Sequence, residues 1–236
     1  INILPLIPTM PELNNKITSV NDRLENDDDI WGSSLVAPQQ NKLDPLLGQL
    51  PIQTNPTAFE NLLPEQLTAG GSTTSGLLLF SGRDPRTGGW TTLYEVHGGG
   101  EGARHDRDGM CAVRPHMSNV MNTPAEVIEA NYPIIIEGQS LRRGSGGKGQ
   151  YQGGDGQVRT YLITGPEVVM TSMVERCVIP PYGLQGGEPG KTFNITLRRA
   201  NGIEENVPGK THIRLTQGDR IIMKTSGGGG YGTPAN

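Results

Sequence analysis

The chain has 236 residues, a formal net charge of −4 and a pI of about 5.6. Its length suits one large domain or two small ones. The mild acidity argues against a nucleic-acid binder or a protein drawn to anionic lipid, and no apolar run is long enough to span a bilayer.

The first residues, Ile1-Asn2-Ile3-Leu4-Pro5, lack both a Met and a charged leader, so no signal peptide is expected. A start at Ile reads as a processed or truncated product, or as the second fragment of a longer polypeptide. Residues 1–63, rich in Asn, Pro, Leu and Gln, read as an extended linker or docking arm. Within them the acidic run Asn26-Asp27-Asp28-Asp29 is a solvated turn, and residues 43–48 and 56–63 are candidate short helices. The second of these has Thr57 and Glu60 spaced as a capping box.

From residue 64 to 236 the expectation is a glycine-rich, β-dominated part. Leu77-Leu78-Leu79-Phe80 is a short apolar run, the mark of a buried strand. Residues 84–89 form a turn, and residues 90–96, dense in β-formers, supply the partner strand of a hairpin. Thr123-Pro124-Ala125-Glu126 opens a short helix, with Thr123 as N-cap and Pro124 in the first position. Further strands are expected over 134–137, 158–163, 167–172, 193–198, 205–207, 212–215 and 220–225. The fold class is α+β and predominantly β: a sandwich- or barrel-like module with few short helices.

Glycine and proline number 34 and 18, together roughly twice their ordinary share. The glycines are clustered, which indicates tight turns in an ordered protein. Cys111 and Cys177 form neither a C-x-x-C pair nor a zinc spacing, so two reduced, buried thiols are expected, as in a cytoplasmic protein.

Three stretches have residues suited to chemistry. His97-Gly98-Gly99-Gly100-Glu101-Gly102 follows a strand. Its backbone N–H groups suit an anion or polar ligand, or the stretch is a tight structural turn. It is neither a Walker A loop nor a Rossmann fingerprint. The second stretch, residues 116–126, brings His116, Asn119, Asn122 and Glu126 to a helix start. There an imidazole can exchange a proton with a substrate oxygen and amides can orient a carbonyl or stabilise an oxyanion. Ordinary capping accounts for the same residues. The third, residues 141–156, combines Arg142, Arg143 and Lys148 with many glycines. It suits a phosphate or, preferably, a glycine-stabilised loop at a subunit contact. Residues 186–191 and the glycine run 227–232 read as turns.

Taken in order, these motifs resemble the B subunit of the hydantoinase/oxoprolinase family, which includes acetone and acetophenone carboxylases and a caprolactamase. The series is Gly98-Gly99-Gly100-x-Gly102-Ala103, Asp108-Gly109, then His116-x-x-Asn119-x-x-Asn122-Thr123-Pro124-x-Glu126. It continues through Tyr132-Pro133, Ser145-Gly146-Gly147-x-Gly149, Gly153-Gly154-x-Gly156 and Gly186-Gly187 to the final glycine run, over residues 64–234.

The resemblance implies the carboxy-terminal half of a B-type subunit that works with an A-type ATPase subunit. Such enzymes phosphorylate a carbonyl or amide oxygen, which is then hydrolysed or carboxylated. It implies ATP and a divalent metal, both bound mainly by other chains or by the amino-terminal half of the B subunit. This sequence itself shows no metal-ligand triad. His116, Asn119 and Asn122 are the catalytic candidates; His97, Gly99, Gly100 and Glu126 are the substrate-binding candidates for a small molecule. The alternatives are a non-catalytic assembly subunit and a stand-alone ligand-binding β module.

Overall fold

The computed structural model describes residues 64–73, 76–114 and 121–234. The two short helices expected before residue 64, and the candidates His116 and Asn119, lie outside those residues. A 3-10 turn, Pro64–Gln66, comes first.

The expected hairpin forms from β1 (Leu77–Arg83) and β2 (Trp90–Glu95). In the turn between them, Asp84 accepts from both the backbone N–H and the guanidinium of Arg86. Arg86 also donates to the carbonyls of Glu129 and Tyr132. It thereby satisfies chain-end carbonyls of helix α1 (Ala125–Asn131) and ties the hairpin to the helix. The helix begins one residue later than expected. Pro124, not Thr123, is its N-cap, and no side chain caps it. Thr123 is engaged instead through its carbonyl, which accepts from Arg159 Nη2 at 3.1 Å.

Seven more strands follow: β3 (Ile134–Arg142), β4 (Gly156–Ile163), β5 (Glu167–Met173), β6 (Asn194–Arg198), β7 (Glu204–Val207), β8 (Lys210–Thr216) and β9 (Arg220–Lys224). They complete two antiparallel sheets, ordered β2-β1-β5-β8 and β3-β4-β9-β6-β7. Each expected strand is present with shifted ends, and neither sheet closes into a barrel. In β3 a bulge between Ile136 and Gly138 re-aims Glu137, whose carboxylate takes both Nε and Nη2 of Arg220 at 2.8 Å.

Alternation builds the core. Leu78, Phe80, Val168 and Met170 of one sheet, Tyr161, Ile163, Ile195, Ile221 and Met223 of the other, and Ile128 of α1 form one buried cluster. The rings of Phe80 and Tyr161 meet across it at 5.1 Å. Burial of side chains of this kind contributes about 1.5–3 kcal/mol each.

Beside the sheets lies a second packed unit with almost no side chains in it. The run 227–232, expected as a turn, is fully buried and threads between several other segments. The N–H groups of Gly227 and Gly230 donate to Lys191 and Glu188, those of Gly228 and Tyr231 to Gly154 and Tyr151, and that of Gly229 to Gly70. The direction of donation thus repeats every three residues, the period of polyproline II. No residue of 98–102 or 227–231 has a positive φ, so their glycines are not there to permit an unusual conformation. They are there because backbone packs on backbone. A Cβ on Gly100 would overlap the Gly154 carbonyl, one on Gly102 that of Ala69, and one on Gly228 that of Glu101. The same crowding admits only glycine at the axis of collagen. Leu67, Ala69, Ala103, Leu184 and Tyr231 form a small apolar cluster in this unit.

Two expectations about loops are sharpened. In the stretch 141–156, expected to meet a phosphate or a subunit, Ser145, Gly147, Gly153 and Gly154 are buried while Arg143 and Lys148 stay exposed. Its anion cradle is filled by its own Asp155, whose carboxylate accepts the N–H groups of Gly144, Ser145 and Gly146 at 3.2, 2.8 and 2.9 Å. Asp155→Ala is expected to cost about 1–3 kcal/mol, read in a denaturant titration, because three backbone donors lose their acceptor. Cys111 and Cys177 are unpaired, but the first is exposed and the second half-buried. Cys177 packs against the main core cluster.

Candidate functional site

Strand β4 supplies the floor. Its inward positions read Gln157, Arg159, Tyr161, Ile163, so one pleat face passes from polar to apolar along its length. On β2 the inward positions are Leu93 and Glu95. Glu95 is 2% exposed and Arg159 is fully buried, and a buried charge persists only with partners.

The partners are in place. Arg159 Nη1 lies 2.9 Å from Glu95 Oε1, an ion pair without hydrogen-bond alignment. Tyr161 donates its hydroxyl proton to Glu95 Oε2 at 2.7 Å. His97 Nε2 lies 2.5 Å from the Tyr161 hydroxyl, and Nδ1 lies 2.7 Å from the Gly76 carbonyl. Both ring nitrogens of His97 are thus held by oxygen atoms, and the Glu95 carboxylate is enclosed with the Arg159 guanidinium. Burial pushes the Glu95 carboxyl upward, but the hydrogen bond and charge of His97, the charge of Arg159 and the Tyr161 hydroxyl outweigh it. The group titrates below the usual carboxylate range. Burial, joined by the Glu95 charge, pushes the Tyr161 phenol well up.

Above this cluster lie amides. Gln157 Nε2 donates to the Gly98 carbonyl at 3.0 Å. A carbonyl only accepts, so the amide orientation is fixed and Oε1 points away from Gly98. It accepts from Asn122 Nδ2 and Gln139 Nε2, each at 3.3 Å. Half-buried Asn122 thus spends one N–H on Gln157. Its side-chain oxygen and second N–H have no partner among the described residues.

Two sequence candidates, His97 and Asn122, are therefore joined, through Gly98 and Gln157. His97 is buried against protein groups. The N–H groups of Gly99 and Gly100 donate to the carbonyls of Val113 and Ser226, and a Cβ on either would strike neighbouring backbone, so these glycines pack the interior and present no donors. Glu126 is exposed on the first turn of α1. Glu95, Gln157, Arg159 and Tyr161 escape a reading for motifs. Their signal is phase: Glu95 is in register with Leu93, and three polar residues share a face with Ile163, as expected of a buried polar network.

Among the described residues no group of three or more His, Cys, Asp or Glu is placed to hold a metal ion, and no helix is long and apolar enough to cross a membrane.

The same architecture occurs in solved structures. The ATP-dependent caprolactamase of Pseudomonas jessenii superposes with a TM-score of 0.66 at 26% identity, over 79% of this chain and 34% of that one. A nucleotide-free acetone carboxylase gives 0.61 at 19% identity, over 74% and 28%, a likeness of fold. The family model described as hydantoinase B/oxoprolinase matches residues 47–234, and the chain belongs to that family. A 5-oxoprolinase from Dictyostelium discoideum is 39% identical over 140 residues, 59% of this chain and 11% of that protein. The chain thus spans from about a tenth to a third of the relatives it matches.

Proposed function

We propose that this chain is part of the B-type subunit of an ATP-dependent heteromeric cytoplasmic enzyme acting on a phosphate-activated carbonyl or cyclic amide. The observation that carries the reading is the family match over residues 47–234. Asn122 beside Gln157 supports a site in the same stretch that the sequence singled out.

The described residues do not fit ATP or a metal. The N–H groups of Gly99, Gly100, Gly227, Gly228, Gly229 and Gly230 are spent on carbonyls and that of Gly146 on Asp155, and no ligand cluster is present among the described residues. Both groups belong to an A-type subunit or to the rest of the B polypeptide. The part of this chain is positional: Asn122 offers an oxygen acceptor and an N–H to a substrate amide or carbonyl, while His116 and Asn119 supply a proton-exchanging group and a second amide. Glu126 contributes from the exposed helix start.

The test uses the assembled enzyme with ATP and a panel of 5-oxoproline, caprolactam and, with bicarbonate, acetone. His116→Ala, Asn119→Ala and Asn122→Ala are each expected to lower kcat by roughly ten- to a thousandfold with the complex mass unchanged. Full turnover in all three variants would remove the catalytic assignment. Altered mass with normal turnover per complex would favour an assembly role.

A further inference from the structure

Hydrogen bonds, one ion pair and the backbone links of neighbouring residues close a ring around β4. From His97 the path runs through the Tyr161 hydroxyl to Glu95, from Glu95 to Arg159, and from Arg159 to the Thr123 carbonyl. Thr123 is bonded to Asn122, whose amide reaches Gln157, and Gln157 returns to the carbonyl of Gly98, next to His97. Three members, Gln157, Arg159 and Tyr161, stand at alternate positions of one rigid strand.

Within this ring Arg159 is under-satisfied for a merely structural ion pair. Its side chain is fully enclosed, yet Nε and Nη1 make no hydrogen bond. Among the described residues, the one N–H bond it makes goes to Thr123, outside the sheets. A buried guanidinium is costly unless its fork is satisfied. Here its geometry serves the reach from Glu95 on one side to the Thr123 carbonyl on the other.

We propose that Arg159, held by Glu95, His97 and Tyr161, is a positioning residue that fixes the turn carrying Asn122. The functional side of this inference rests on the reading of Asn122 given above. The network sets where the Asn122 amide stands relative to Gln157, and a displacement of that amide lowers the rate without abolishing binding. A lysine at 159 keeps the charge beside Glu95 but cannot span both Glu95 and Thr123, because an ammonium lacks the planar fork.

The experiment is hydrogen–deuterium exchange with mass spectrometry on the intact assembly, without substrate, alongside steady-state kinetics on the panel above. In Arg159→Lys, peptides covering residues 121–128 are expected to exchange faster, while those of β4 and β9 keep the wild-type rate. The value of kcat falls by roughly ten- to a hundredfold and KM stays within about twofold. Unchanged exchange at 121–128, equal acceleration across β4 and β9, or faster local exchange with wild-type kcat each overturns the proposal. If Arg159→Lys does not assemble, Tyr161→Phe keeps the core ring and removes the hydroxyl; the same peptides and the same kcat then decide. Wild-type turnover in Asn122→Ala would instead remove the functional reading, since the exchange measurement involves no substrate.

Discussion

Gly100→Ala is expected to destabilise the protein by more than about 4 kcal/mol, a large part of the 5–15 kcal/mol that ordinarily holds a domain together. The new methyl group would occupy the space of the Gly154 carbonyl and of the Gly228 amide. Neither neighbour can yield by rotating a side chain, because both are backbone atoms, and the Gly228 N–H donates to that same Gly154 carbonyl. Relief would require the whole glycine bundle to separate. The control is Gly138→Ala in β3, where nothing lies within 4 Å of the added carbon. That change is expected to be neutral or to stabilise by about 0.5–1 kcal/mol, since alanine orders a strand at a smaller entropic cost. Thermal and denaturant unfolding of the two variants, side by side, separates glycine kept for close approach from glycine in open space.

The second large effect is expected at Glu95. Glu95→Ala leaves the fully buried Arg159 guanidinium enclosed without its anion, and should cost about 3–5 kcal/mol. Glu95→Gln is gentler, because its amide oxygen still accepts from Tyr161. Its comparison with the wild type has a defined pH dependence. The folded protein holds the Glu95 carboxyl below its unfolded value, so its stabilising effect is complete above the ordinary carboxylate range. It is lost as pH falls through the lowered folded value. The stability gap between wild type and Glu95→Gln should therefore narrow on acidification and be constant near neutrality. A gap that widened toward acid would contradict the ionised state of Glu95. Chemical unfolding at a series of pH values measures it.

The strands were legible because their period-2 patterns and turn signals agree, from Leu77 through Lys224. The helix start was misplaced by one residue because capping rules weigh Thr123 as a side chain, and its carbonyl turned out to be the engaged group. The glycine runs were recognised as unusual but misread as turns. Turn chemistry depends on local φ, whereas the need for glycine at 100, 154 and 228 comes from segments distant in sequence. The polar network was missed for a related reason. Glu95, Arg159 and Tyr161 belong to no motif, and only the packing of the sheet that holds β4 against the sheet that holds β2 brings them together. Of the residues joined here, His97 and Asn122 stand in the glycine and helix-start motifs, whereas Gln157, which links them, reads in sequence as one more strand residue.

The threading of residues 227–232 also bears on how the chain reaches its fold. Those residues bond to Gly70, Ala103, Gly154, Glu188 and Lys191, partners made long before them on the ribosome. The hairpin β1–β2 and the meeting of β3 with β4 can form during synthesis, but the segments that surround the glycine run have no centre until it emerges. Closure of so many distant contacts is slow by nature. Until then, bare extended backbone stands open to pairing with any other chain, a liability like that of an unprotected sheet edge. The ordering of this half of the molecule is thus a late event, and the interval before it is when the nascent chain is most exposed to misassembly.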